Sequence, residues 1–223
     1  MKILKENGKY LGEQIKFNDT IAIILLIIGL VTLIFFYMGV IFIGISVYFF
    51  IRSSQYRKGQ SGETLTRENL NRLSNNHQLI NDVMLPESYG NIDHILLGPN
   101  GIFVIETKNL EGEIRCDEDL WYQYKPGWKI PEEYEIKSPS KQVKRNAVKL
   151  KQFIEKKLNK KIWIEGVVVF TNPDVNLELN NPTTSILRVN ELCNYITSKK
   201  SKIKFSLKEL ELIGKTILEL KNT

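Results

Sequence analysis

The chain has 223 residues, a formal net charge of +6 and two cysteines. This length suffices for one ordinary domain with an appendage, and the positive charge favours anionic partners, either nucleic acid or a membrane surface. Cys116 and Cys193 lie far apart, which excludes a close-spaced thiolate metal site of the CxxC kind. We expect both thiols to be reduced, as is usual in the cytoplasm.

The segment from residue 21 to residue 51 contains no charged side chain. About 20 apolar residues suffice to cross a bilayer as a helix, and a soluble helix is rarely apolar on every side for so long. A cleaved signal peptide has a shorter apolar core and a small-residue cleavage site, and neither fits this run. We therefore predict that residues 21–51 are a transmembrane segment, which places the protein in the cell membrane.

The path of this segment through the bilayer has two alternatives. One continuous helix would be about 46 Å long at 1.5 Å per residue, so it would tilt or protrude. Two shorter helices that turn near Gly39 would form a shallow hairpin, although each is short for a full crossing. Lysine and arginine residues lie on both sides of the segment, which mildly favours the hairpin under the positive-inside rule. In either case we expect the soluble domain to face the cytoplasm.

The rest of the chain divides by composition into soluble parts. We predict an N-terminal juxtamembrane segment (residues 1–20), a polar linker (52–61), a soluble domain (62–200) and a C-terminal helix that packs on it (201–223). Ser206, followed three residues later by Glu209, predicts a capping box at the start of the C-terminal helix.

The soluble domain alternates between helical and strand periodicities. A helix opens at Gly62, helices follow at residues 138–158, 189–197 and 207–220, and residues 125–137 are irregular. Strands are predicted at residues 79–85, 91–97, 102–107, 113–116, 120–124 and 162–170. This order predicts an α/β or α+β fold, in which a mixed central sheet is flanked by helices.

Three charged residues stand out in two of the predicted strands. Glu106 and Lys108 are two apart, so their side chains leave the same face of their strand. Asp93 lies on the preceding strand, across a tight turn at Gly98–Gly101. Both acids are set among apolar residues, where a charge is costly unless it is paired or bound to a metal. Two carboxylates on adjacent strands suit Mg²⁺, and the lysine is suited to position a water or to stabilise phosphoryl charge.

The stretch from Gly90 to Asn109, GNIDHILLGPNGIFVIETKN, closely resembles the nuclease-related domain (NERD) family of the PD-(D/E)xK nuclease superfamily. Further resemblance lies in the Gly62-Glu63 pair, in Gly112 with Trp121, in Ser138-Pro139 with Gln142, and in the VVVFT run that ends at Thr171. The Pro139 to Gln142 spacing agrees only loosely with the family pattern. The resemblance covers residues 56–200.

The resemblance implies a restriction-endonuclease-like fold and a metal-dependent nuclease that hydrolyses phosphodiester bonds in DNA or RNA. It implies that Asp93 and Glu106 hold Mg²⁺ or Mn²⁺ and that Lys108 is the catalytic lysine. Glu63 would be a helix-borne acid completing the site, and Gln142 a further polar contributor. A helix N-terminal acid and a surface amide are the ordinary structural interpretations of these last two residues.

The helix from residue 137 to residue 161 is strongly basic. Its lysines and arginine are suited to follow a phosphate backbone, but a solvated face or a face against anionic lipid explains them equally well. The candidate nucleic-acid contacts are Lys141, Lys144, Arg145 and Lys149. The aromatic residues Trp121, Tyr122, Tyr124 and Trp128 are candidates for base stacking or for packing. A catalytically inactive nucleic-acid-binding or membrane-surface scaffold module is therefore the alternative to a nuclease, and the sequence leaves the oligomeric state undetermined.

Overall fold

The structure is a computed structural model that describes residues 2–5, 9–33, 39–86, 90–125, 132–200 and 203–222. The chain divides into two compact units. One comprises residues 8–61 and is called here the helical unit; the other comprises residues 1–7 and 62–223 and is called the sheet domain.

Two long helices account for the apolar segment. They are α1 (Lys9–Leu33) and α2 (Gly39–Leu70), and α2 continues from the helical unit into the sheet domain. Residues Tyr10–Thr32 of α1 are long and apolar enough to cross a membrane by length and composition, with a mean hydropathy of 1.9. A signal sequence near the N-terminus meets the same criterion.

The polar linker predicted at residues 52–61 is helical, and Gly62 lies inside α2 instead of opening a new helix. The change from apolar to polar composition at Arg52 predicts a structural boundary, but the helix continues through it, because the segment contains no proline and nothing in it interrupts the helical hydrogen bonds.

The sheet domain contains the remaining elements. Its strands are β1 (Lys2–Lys5), β2 (Gln78–Met84), β3 (Asn91–Gly98), β4 (Gly101–Lys108), β5 (Glu113–Asp117), β6 (Leu120–Lys125), β7 (Glu132–Ile136), β8 (Ile164–Phe170), β9 (Asn176–Asn180) and β10 (Ser185–Arg188). Its further helices are α3 (Pro139–Leu158), α4 (Leu192–Ser198) and α5 (Leu207–Leu218). The mixed α+β class predicted from the sequence is confirmed.

The strands form two mixed sheets. The larger has the order β1-β2-β3-β4-β8-β10, and the smaller has the order β7-β6-β5-β9. The larger sheet has a buried cluster on each face. On one face Val143, Ala147 and Leu150 of α3 pack against β3, β4 and β8, and on the other Leu70 of α2 and Leu192 of α4 do so.

The smaller sheet departs from the sequence prediction. Residues 132–136, within a stretch predicted to be irregular, form β7 and pair antiparallel with β6. Trp121 of β6 is fully buried, stacks on Phe170 and donates its indole N–H to Ser140 Oγ at 2.8 Å. Trp121 is therefore a packing residue, and base stacking by it is excluded. Trp128 lies outside the described residues.

The two ends of the sheet domain differ in how well the sequence predicted them. Residues Lys2–Lys5, which lie in the predicted N-terminal segment 1–20 and were not predicted as a strand, pair parallel with β2. At the other end the Ser206 capping box is confirmed, since Glu209 N and the Glu209 carboxylate both bond to Ser206. α5 then buries Leu210, Ile213 and Ile217 in the core.

Candidate active site

The hairpin of β3 and β4 determines where the two candidate acids lie. Its antiparallel register pairs His94 with Ile105, so Asp93 and Glu106 are the next residues along the two strands. Asp93 Oδ2 accepts a hydrogen bond from the backbone N–H of Thr107 at 2.8 Å. The hairpin thus brings together the two carboxylates that strand alternation predicted on adjacent strands.

Lys108 completes the group on the same face. Its Nζ donates to Glu106 Oε1 at 2.6 Å and lies 3.5 Å from Gln142 Oε1, on the first turn of α3. Ser138 caps that turn, since its side chain accepts from the backbone N–H of Lys141. The capped N-terminus of α3 therefore places Gln142 beside Lys108, although the spacing from Pro139 to Gln142 agrees only loosely with the family pattern.

Glu106 has a buried side-chain oxygen that lacks a hydrogen-bond partner among the described residues. Its side chain is 2% exposed, and Oε2 has no hydrogen-bond partner among the described residues. Burial raises the pKa of this carboxyl, and the charge and hydrogen bond of Lys108 oppose that rise. An orphaned buried carboxylate oxygen is costly in a folded protein and suggests an unseen partner, such as a water or a cation.

Glu63 reaches the site from α2. Gly62 permits this approach, because a Cβ there would lie only 2.9 Å from Asn109 Cβ and from Thr171 Oγ1. One turn further, Thr66 Oγ1 lies 3.1 Å from Thr107 Oγ1 and fastens the helix to β4. Burial raises the pKa of Glu63 to about 7, with further contributions from the charges of Asp82 and Glu106.

The electrostatics of the remaining two members also follow from burial and proximity. Burial raises the pKa of Asp93 well above its ordinary value, and the charges of Glu106 and Glu63 raise it further. Burial lowers the pKa of Lys108, but the charges of Glu106 and Asp93 outweigh this, and the net pKa is raised. Lys108 is therefore a cation at neutral pH, suited to stabilise negative charge and poorly suited to act as a base.

Three further charged side chains affect these carboxylates, and of these the site prediction includes only Arg145. Asp82 of β2, which has a left-handed backbone (φ 55°) and accepts from Asn91 Nδ2, raises the pKa of Glu63. Lys137 and Arg145 lower the pKa of Glu106 through their charges. Asp82 had a detectable signal, because it is an acid inside a strand that is otherwise mostly buried.

The four candidate nucleic-acid contacts on α3 are not equivalent. Lys141 and Arg145 are exposed, whereas Lys144 bonds to Asp119 Oδ2 at 2.6 Å and to Thr183 Oγ1 at 2.7 Å. Lys149 is half-buried and has an interaction partner of its own. Of these four candidates, the exposed pair is the more available to an anionic ligand.

The described part of the chain holds no group of three or more His, Cys, Asp or Glu side chains arranged as a ready-made metal cluster. This does not conflict with a Mg²⁺ site, because Mg²⁺ commonly takes one or two carboxylates and completes its shell with waters and substrate phosphates. The arrangement of Asp93, Glu106 and Lys108 offers both a pair of hard oxygen donors and a cation beside them.

The comparison with protein families covers the residues of this site. The nuclease-related domain family matches the chain over residues 58–171, just over half its length. The chain is also similar to Uncharacterized protein pXO1-01 of Bacillus anthracis, with 38% identity over 65 residues. That similarity covers 27% of this chain and 31% of the relative, so the chain spans less than a third of the relative's length. No solved structure matches the chain.

Proposed function

The chain belongs to the nuclease-related domain family, and from this premise we propose that it is a membrane-attached nuclease that hydrolyses phosphodiester bonds in DNA or RNA with Mg²⁺ or Mn²⁺. The observation that carries the proposal is the orphaned Oε2 of Glu106, buried beside Asp93 and Lys108. A buried carboxylate of this kind is expensive for folding alone, and a bound cation offsets its cost.

The donor set fits a hard divalent cation. Asp93 and Glu106 would hold the metal, since both are oxygen donors and Glu106 Oε2 has no protein partner among the described residues. A bound Mg²⁺ or Mn²⁺ supplies positive charge to the phosphate and lowers the pKa of a coordinated water.

The other side chains have roles that follow from their charges. The Lys108 ammonium would neutralise charge that develops on the phosphate, and Glu106 and Gln142 orient it. Glu63, with a pKa of about 7, is suited to exchange a proton at neutral pH. Lys137 and Arg145 add positive potential that favours the approach of a phosphate backbone.

The apolar helices supply the proposed membrane attachment. α1 satisfies the length and hydropathy of a membrane helix, and α2 begins with the uncharged stretch Gly39–Ile51. The nucleic-acid substrates belong to the cytoplasm, so we place the sheet domain on that side of the cell membrane.

The test uses the full-length protein in detergent, because residues 2–5 supply a strand of the sheet domain. DNA and RNA are incubated with Mg²⁺, with Mn²⁺ or with EDTA. We expect cleavage that requires the metal and is lost in Asp93→Ala and in Lys108→Met. Glu178→Ala, which removes an exposed acid on β9, is the matched control and retains full cleavage. No cleavage by the wild type, or equal cleavage by all variants, would refute the proposal.

A second candidate is a nucleic-acid-binding or membrane-surface module without catalysis. The exposed Lys141 and Arg145 on α3 favour it. Binding that weakens steeply with salt, together with no turnover under any metal condition, would identify this alternative. Binding to anionic vesicles but not to nucleic acid would identify the membrane-surface form.

A further inference from the structure

The pairing of β1 requires the two ends of the helical unit to lie on the same side of a membrane. Residues Lys2–Lys5 precede the helical unit in sequence, yet they pair parallel with β2, which follows it. The contact includes a hydrogen bond of 3.0 Å from the backbone N–H of Lys2 to the carbonyl oxygen of His77. The chain therefore leaves the sheet domain after β1 and returns to the same domain through α2.

A single membrane crossing is incompatible with this pairing. Backbone hydrogen bonds between β1 and β2 require both strands on the same side of the bilayer, because their groups cannot bond across about 30 Å of hydrocarbon. The segment between them must cross the membrane an even number of times or turn back within it.

Within the helical unit, α1 and α2 pack antiparallel in the way a hairpin needs. Ser46 Oγ donates to the carbonyl oxygen of Ala22 at 2.7 Å. Nearer the turn, Gly29 allows close contact, since a Cβ there would lie 3.0 Å from the Gly39 carbonyl oxygen and from Ile43 Cγ1. Small residues and internally satisfied hydroxyls at a helix contact are typical of association in a bilayer.

The charged groups of the hairpin lie at its open end. Asp19 of α1 accepts hydrogen bonds from Ser53 and Arg57 of α2. Between these charges and the turn, residues 20–33 and 39–51 contain no charged side chain. Each stretch rises about 20 Å at 1.5 Å per residue, whereas the hydrocarbon core is about 30 Å thick. Each described uncharged stretch is therefore shorter than the hydrocarbon core, which favours a hairpin that turns back within the bilayer.

The outer surface of the hairpin is apolar and exposed along both helices. Its large apolar side chains that are 49% or more exposed are Phe17, Ile23, Ile24, Ile27, Leu30, Val31, Val40, Ile41, Val47, Tyr48 and Ile51. An apolar surface of this extent is uncommon on a soluble protein and is typical of a surface that contacts another protein or a membrane. Because the apolar side chains surround the hairpin and the charges are confined to its open end, lipid acyl chains fit it better than a protein groove.

We propose that residues 9–33 and 39–61 form a re-entrant hairpin, which enters the bilayer and returns on the face where the sheet domain lies, with the end of α1 and the start of α2 inside the membrane. The inference rests on the proposed membrane attachment and adds a topology to it. It requires the N-terminal and C-terminal ends of the chain to be on the same side.

The first arm of the test locates the two ends. The full-length protein carries one epitope tag at its N-terminal end and another at its C-terminal end, and protease is added to right-side-out and to inverted sealed vesicles. We expect both tags to be removed in one preparation and both to be protected in the other. Removal of one tag in each preparation would overturn the hairpin.

The second arm locates the turn. In a background with Cys116→Ser and Cys193→Ser, a Val40→Cys variant is treated with a membrane-impermeant maleimide. We expect labelling from neither side until detergent is added, whereas Tyr10→Cys at the open end labels from the side of the sheet domain. Labelling of Val40→Cys from the opposite side would show two full crossings and overturn the re-entrant form. The tag arm does not depend on the cysteine-free background.

Carbonate extraction separates the two levels of the proposal. Release of the protein by carbonate would remove the membrane attachment and, with it, the hairpin. Retention together with tags on opposite sides would overturn the topology alone and leave the attachment in place. Neither outcome changes the metal-dependent cleavage assay, so the proposed nuclease activity is judged independently.

Discussion

The two faces of the β3–β4 hairpin both bury polar side chains, and they do so in different ways. On one face, His94 is fully buried and lies 2.7 Å from Asn81 Oδ1 through its Nδ1. On the other, Asp93 and Glu106 lie close together with Lys108. The same pair of strands thus carries a histidine–amide pair and a cluster of three ionisable groups.

The difference lies in the charge. Burial lowers the pKa of His94 to about 3, with a smaller contribution from Arg67, so the ring is neutral at physiological pH. Its Nε2 has no partner among the described residues, as is true of Glu106 Oε2. An unpartnered neutral nitrogen costs far less than an unpartnered carboxylate oxygen. The His94–Asn81 pair is therefore explained by folding alone, whereas the buried Glu106 carboxylate favours the binding of a ligand.

The largest expected effect is on the acid face. Glu106→Gln should reduce kcat for the proposed metal-dependent cleavage by about a thousandfold or more, because it removes the negative charge of a proposed metal ligand and the ion-pair partner of Lys108. In the metal-free protein the loss of a buried charge and the loss of the ion-pair partner of Lys108 act in opposite directions, so the loss of activity should far exceed any change in stability. Cleavage rates and thermal unfolding in EDTA measure the two effects. A variant with more than a tenth of wild-type activity would contradict the comparison.

On the opposite face the expected pattern is reversed. Asn81→Ala should lower the free energy of unfolding by about 2 kcal/mol, because it leaves the Nδ1 of His94 without its partner. This corresponds to a fall in Tm of roughly 4–8 °C for a domain of this size. Activity per folded molecule should stay near the wild-type value. Loss of activity without loss of stability would mean that this face also serves catalysis.

The pH dependence of stability should distinguish the buried Glu63 from an exposed acid on the same helix. Its pKa of about 7 lies above the ordinary 4.5, so the folded state holds the proton more tightly than the unfolded state. In EDTA, wild-type stability should therefore rise relative to Glu63→Gln as pH falls from about 8 to about 5, by about 2–3 kcal/mol. Glu68→Gln, an exposed acid on the same helix, is the control. Parallel pH curves for wild type and Glu63→Gln would contradict the assignment.

The smallest effect is expected on the outer face of α3. Lys141→Ala and Arg145→Ala should each reduce the salt dependence of nucleic-acid binding by about one phosphate contact. Lys144→Ala should reduce it less, because this lysine already bonds to Asp119. Binding titrations over a range of salt concentrations measure the slopes. Slopes equal to the wild-type slope for all three variants would remove this face from the interface.

Much of the sheet domain was predictable because its signals are local. The turn at Gly98–Gly101 and the alternation in β3 and β4 predict the hairpin, and the hairpin places Asp93 beside Glu106. The α5 capping box is likewise set by Ser206 and Glu209 alone. In contrast, β1 and β10 form only because distant strands offer them an edge, so short segments such as Lys2–Lys5 carry no signal of their own.

By itself the sequence determined which residues are unusual: an uncharged stretch long enough for a membrane, and two acids with a lysine in apolar strands. Their side-chain spacing follows from the period of a strand, which needs no tertiary information. Only the tertiary structure decided that α2 is continuous, that Gln142 lies beside Lys108, and that Glu106 Oε2 has no partner in the described chain. It also decided that β1 returns to β2, because strand pairing joins residues that the sequence separates by the whole helical unit.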